Sequence, residues 1–201
     1  MPDSRGKILD AAEELFATKG YERTTTREVA ELAGVSAPLI AHHFAGKAEL
    51  LRAVAVRIIE WADDRRAVVR KQHEDEPLEQ RVRAMTELVF EHTCIRPAGT
   101  RIYATLTYSD ELWDQVGMTE LMWGGAATEY GPLVQEYLEA YPDKDVAAVV
   151  TMVAGVVTAC MGRVLIGADV PPPPEGLTER EAAQRWCKRM TDNAMKVLFG
   201  T

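Results

Sequence analysis

Residues 27–44 read REVAELAGVSAPLIAHHF, two short amphipathic patterns on either side of Gly34, the second ending in a pair of histidines. Wound as helices, the two patterns place Val29, Ala33, Val35, Ile40 and Phe44 on one apolar seam. Ala30 is small enough to sit where two crossing helices touch, and Gly34 permits a left-handed backbone turn that other residues resist. Ala37, Pro38, Leu39, Ala41 and His42 are left facing outward from the second helix. A short helix with an exposed N-terminal end, braced across another, is the arrangement that enters a DNA major groove.

Outward from this stretch, helical periodicity dominates and strand alternation is nearly absent. Ser4 is a candidate cap for a first helix ending near Lys19, with Gly20 in the C-terminal stop position. Thr25 with Glu28 is a capping-box pattern opening the second helix, and Ser36 is a candidate cap for the third, with Pro38 in its first turn. A long helix is expected from about Lys47 to Lys71, and HEDEP at 73–77 ends it. Another runs from Leu78 to about Thr93, and RPAG at 96–99 interrupts it. Residues 100–141 suggest two or three helices with weak points at Gly124-Gly125 and Gly131-Pro132. PPPPEG at 171–176 is a stiff polyproline connector, and a second capping box, Thr178 with Glu181, opens the last helix. The expected fold is all-α with about nine helices. A change of composition places a domain boundary near residues 48 to 52, giving a helix-turn-helix domain at 1–50 and a larger helical domain at 51–201.

Charge constrains how such a protein would hold DNA. The chain has 201 residues and a formal net charge of −8. Residues 1–52 hold seven Lys or Arg against eight Asp or Glu, a net of −1, and the rest carries 16 − 23 = −7. Affinity for phosphate therefore depends on local placement of Arg5, Arg23, Arg27 and Lys47, and on dimerisation. Cys94, Cys160 and Cys187 are widely spaced and lack metal-ligand or pairing motifs, which suits a reducing cytoplasm. The N-terminus lacks the apolar core of a signal peptide. The uncharged run VAAVVTMVAGVVTACMG, 146–162, is at the short limit for a membrane span, and its Ala, Gly and Thr content fits a helix buried between protein partners better.

Residues 5 to 51 resemble the DNA-binding domain of the tetracycline-repressor (TetR) family of bacterial transcription regulators. The resemblance lies in Gly20-Tyr21, in TTTREVAELAGVS, and in HHF-AGKAELL, all without a gap. It covers about a quarter of the chain; the remainder fits by helix count and order. Carried over by position, it implies that Arg27 reaches a guanine edge, a task suited to a guanidinium that bonds O6 and N7 together. It places Thr25, Thr26 and Ser36 near phosphates, and makes Lys47 a phosphate contact. Pro38 and Leu39 would meet thymine methyls, with Ala37, Ala41, His42 and His43 completing the face. Many members carry an aromatic residue at the position of Ala41 and a threonine at that of Leu39, so base readout here leans on Arg27 and apolar contacts. Gly46 stands where a capping side chain is common, which implies a weaker start to the fourth helix.

Other readings compete at each site. Adjacent histidines project about 100° apart on a helix, so His42 and His43 do not have chelating spacing; they contact DNA or serve surface and packing roles. Arg27 could simply pair with Glu31 at i,i+4, and Lys47 could be a solvated helix-start residue. Met85, His92, Tyr103, Tyr108, Trp113, Met122, Trp123 and Tyr130 are candidates for the wall of a pocket for a small apolar or aromatic effector, or else ordinary core. Ala147, Ala154, Gly155 and Ala159, with Trp186, Met190, Ala194 and Val197 on the last helix, are candidates for a homodimer interface or for burial within one chain.

The sequence contains no GxSxG, phosphate loop or HExxH, and no cysteine with an evident histidine partner, so neither an enzyme nor a bound cofactor or metal is expected. The reading is a ligand-responsive, sequence-specific DNA-binding regulator, a repressor acting as a dimer on a palindromic operator. The alternatives are an α-helical small-molecule binding protein whose DNA readout has decayed, and a helical interaction module.

Overall fold

The computed structural model describes residues 4–144 and 178–200. Among them are nine helices and no strand: α1 (Ser4–Lys19), α2 (Thr26–Ala33), α3 (Ala37–His43), α4 (Lys47–Gln72), α5 (Leu78–Ile95), α6 (Pro97–Thr107), α7 (Asp110–Val116), α8 (Met118–Ala140) and α9 (Glu179–Phe199). The run at 146–162, the connector at 171–176, and Ala147, Ala154, Gly155 and Ala159 lie outside the described residues. No helix among the described residues is long and apolar enough to cross a membrane.

Two units divide the chain, and the division cuts α4 after Trp61. The first unit comprises Met1–Trp61 and Ala98–Gly124. Its core joins Ile8, Leu9, Ala12 and Phe16 of α1 to Val29 and Ala30 of α2 and Ile40 of α3. Leu50, Leu51 and Val54 of α4 and Ile102 and Leu106 of α6 complete it. On α1, α4 and α6 these residues recur at three- and four-residue spacing, so the amphipathic stripes of the sequence are the faces that meet. Arg57 on α4 adds polar ties to α1, donating to Asp10 and Glu13 at 2.7 Å each.

The second unit comprises Ala62–Pro97 and Gly125–Thr201. In it α5 packs along α9: Phe90 meets Trp186 edge-on with ring centroids 5.8 Å apart, and Arg83 donates to Asp192 at 2.7 Å. Tyr137, Tyr141 and Phe199 form an aromatic trio with centroids 5.0 to 5.5 Å apart.

The helix breaks in residues 100–141 differ from those expected. α8 runs unbroken through Gly124-Gly125 and Gly131-Pro132. The breaks fall instead at Ser109, whose hydroxyl accepts the Leu112 N–H at 3.3 Å to cap α7, and at Gly117, which ends α7 in the left-handed region at φ 68°. Glycine and proline weaken a helix by local terms of about 1 and 3 kcal/mol, small enough for tertiary packing to override.

Candidate nucleic-acid interface

The face around α2 and α3 is built by local rules. Thr25 accepts the Glu28 N–H at 3.2 Å, and the Glu28 carboxylate accepts the Thr25 backbone N–H at 2.9 Å, completing the expected capping box. Lys19 at the end of α1 joins the same carboxylate. Lys19 first, then the Thr25 bonds, hold Glu28 down at about 2. Thr24 is buried just before the box, its hydroxyl donating to the Gly20 and Leu15 carbonyls at 2.8 and 3.2 Å. The start of α2 is thus fastened to the end of α1.

At the other end of α2, Gly34 takes φ 65° and its N–H closes onto the Ala30 and Glu31 carbonyls. The Val35 N–H then reaches the Ala30 carbonyl at 3.0 Å. This turn swings α3 so that Ile40 and Phe44 are buried while Ser36, Ala37, Pro38, Ala41 and His42 are exposed. Leu39 is half-buried.

Ser36 occupies the cap position of α3, but its hydroxyl makes no capping bond. The reason is chemical: Pro38 has no N–H, and the Leu39 N–H is taken by the Ser36 backbone carbonyl at 3.0 Å. The exposed hydroxyl is left facing outward with the rest of the surface.

The Arg27 side chain on α2 is 85% exposed, with Nε 3.3 Å from Glu31 Oε1. An exposed i,i+4 pair is worth about 0.3–0.5 kcal/mol and does not hold the guanidinium in place. Lys47 is more committed. Its ammonium donates to the Tyr21 carbonyl at 3.0 Å and lies 4.2 Å from the Tyr21 ring centroid. Gly46 lacks a capping side chain, but Glu49 accepts the Ala45 N–H and supplies half of a cap for α4. Thr26 is half-buried at the head of α2.

His43 faces differently from His42. It is half-buried, with Nε2 3.1 Å from the Ser4 hydroxyl, while the Arg5 guanidinium lies 5.6 Å from the Phe44 ring centroid. The first turn of α1 therefore braces the end of α3. Sequence reasoning read Ser4 only as a cap; a contact across 39 residues leaves no local signal.

The expected pocket residues fall in both units. Tyr103 and Trp113 pack against the core of the first, where Trp113 Nε1 donates to Thr119 at 2.8 Å, and Tyr108 is 61% exposed. Met85, His92 and Tyr130 belong to the second. The side chains of Met122 and Trp123 lie outside the described residues. On α9, Trp186 and Met190 pack against Phe90 and Cys187, Ala194 is buried, and Val197 is 60% exposed.

Residues 8–54 match the family model described as bacterial regulatory proteins, tetR family. The match is to that family's N-terminal domain and covers about a quarter of the chain. Among curated relatives, the HTH-type transcriptional regulator TtgR of Pseudomonas putida is 38% identical over 76 residues, which are 38% of this chain and 36% of the relative. The chain thus aligns with about a third of that relative's length. Solved structures extend the likeness of fold across nearly all of the chain. The fatty acid degradation regulator FadR of Bacillus halodurans superimposes with a TM-score of 0.74 at 17% identity, covering 97% of this chain and 96% of that one. FadR of Bacillus subtilis, in complex with stearoyl-CoA, gives 0.72 at 16%, covering 96% of each. At these identities the likeness is one of fold. The tetR-family match itself rests on the stretch from α1 to the first part of α4, which is the stretch the caps and Gly34 organise.

Proposed function

We propose that this chain is a tetR-family, sequence-specific DNA-binding transcription regulator that acts as a homodimer on a palindromic operator and represses until an effector binds. The observation that carries the reading is the split on α3. Ile40 and Phe44 are buried while Ser36, Ala37, Pro38, Ala41 and His42 are exposed, and Arg27 on α2 is exposed as well. The DNA-contacting set is then Thr25, Thr26, Arg27, Ser36, Ala37, Pro38, Leu39, Ala41 and His42, with Lys47 at the edge; His43, tied to Ser4, positions the helix. Two such faces, one per subunit, would enter major grooves one helical turn apart. Residues 51–201 would carry effector binding and dimerisation, and an effector would act through its different affinity for the DNA-competent and incompetent states. Support comes from the family match at 8–54, and from the likeness of fold to a FadR that holds stearoyl-CoA.

The test is selection of random genomic fragments on purified protein beside an Arg27→Ala control. The reading expects one enriched palindrome, bound more weakly by the variant by about 1–3 kcal/mol. Retention of nothing, or equal retention of everything by both proteins, would favour instead a helical small-molecule binding protein that has lost DNA readout.

A further inference from the structure

The second unit sets two guanidiniums next to each other in sequence, one exposed and one mostly withdrawn from water. Arg65 and Arg66 are neighbours on α4. The Arg66 side chain is only 12% exposed, is paired with Asp63 one turn back, and places its guanidinium carbon 5.7 Å from the centre of the Tyr130 ring on α8. Arg65 reaches Glu91 of α5 at 4.0 Å, the outer limit of an ion pair. His92, next on α5, feels both guanidiniums: burial first, then Arg66 and Arg65, hold its imidazole down at about 4. It is therefore neutral at pH 7 and adds a ring nitrogen without adding charge.

A guanidinium has five N–H donors in a planar fork. Asp63 engages one Nη of Arg66, while its Nε is buried without an acceptor among the described residues. Arg57 in the first unit has a similarly buried Nε, but two carboxylates balance that guanidinium at 2.7 Å. Among the described residues Arg66 has one, from its own helical turn, with the Arg65–Glu91 pair next to it on the helix. Withdrawing such a group from water is costly unless an anion meets it, and a planar carboxylate fits the fork. The Tyr130 ring covers part of the guanidinium and helps hold it in place.

We propose that Arg66, with Arg65 and His92, receives the carboxylate of the effector, so that the effector is an organic acid rather than a neutral molecule. The proposal rests on the reading of residues 51–201 as an effector domain.

The experiment uses the full chain without DNA, with benzoate and decanoate as probes beside their neutral isosteres benzamide and decanamide. Binding is followed by the Arg66 Nε–H resonance and by the melting temperature. At least one acid is expected to shift the resonance and to bind about tenfold or more tighter than its amide. Arg66→Gln should erase that preference while leaving weak amide binding intact. Arg65→Gln, at a more exposed side chain, should reduce it and serves if Arg66→Gln does not fold. Equal binding of acid and amide, a preference that survives both substitutions, or no shift with either acid would overturn the proposal. With no DNA present, such failure leaves operator selection untouched, and failure to find an operator leaves this result standing.

Discussion

The Arg52 guanidinium on α4 donates to the carbonyl of Val116, the last residue of α7. The next residue, Gly117, has φ 68°, and a Cβ built there would collide with the same guanidinium. Two requirements meet at one position: a left-handed backbone and empty space for an arginine.

Gly117→Ala should therefore destabilise the protein by at least about 1–2 kcal/mol, the usual cost of a left-handed non-glycine residue. Displacing Arg52 from the Val116 carbonyl adds to that. Urea unfolding measures it; a change below a few tenths would mean the turn relaxes and the arginine moves away freely.

Thr25→Ala removes the hydroxyl that caps α2 and should lower stability by about 1 kcal/mol. It also takes away one of the bonds holding Glu28 at about 2, so the Glu28 titration, followed by NMR, should move upward toward the ordinary carboxylate range. Because Thr25 is one of the proposed DNA contacts and also sets where α2 begins, affinity for DNA should fall even though Arg27 is untouched. A variant with full stability and full affinity would show that Lys19 alone fixes α2.

His92 makes a pH prediction. Its folded value of about 4 lies below the ordinary 6.5, so between these the unfolded chain binds the extra proton. Stability is highest above pH 6.5 and is lost as pH falls toward 4, by on the order of 2–3 kcal/mol from this group. In His92→Gln that part of the acid slope should vanish. An unchanged slope in urea melts across this range would place the acid sensitivity elsewhere.

Tyr137 is 3% exposed and its hydroxyl donates to the Leu198 carbonyl at 2.7 Å, joining α8 to the last turn of α9. Tyr137→Phe keeps the aromatic trio with Tyr141 and Phe199 but strands that carbonyl. A loss of about 1 kcal/mol is expected in thermal or chemical unfolding. A neutral result would mean that water reaches Leu198.

Much of the geometry around α2 and α3 could be read from residues 20–50. Each of its controlling rules acts over three or four residues. Thr25 finds Glu28 within one turn, Gly34 bends the chain where it stands, and the 3.6-residue stripe separates Ile40 and Phe44 from the exposed Ala41 and His42. The second capping box at Thr178 and Glu181 was legible for the same reason. Ser36 is the instructive exception: residue type and position suggested a cap, yet Pro38 removed one candidate N–H and the backbone claimed the other.

Sequence alone thus determined the all-α class, both capping boxes, the turn at Gly34 and the outward set on α3, because these depend on local torsions and periodicity. Tertiary structure decided that α8 runs straight through its glycines and Pro132, and that Arg52 closes the end of α7. It also decided that His43 turns to Ser4, and that Arg66, Tyr130 and His92 converge. Those outcomes join residues tens of positions apart. They are set by which faces bury each other and which charges must then find partners, and local pattern carries neither.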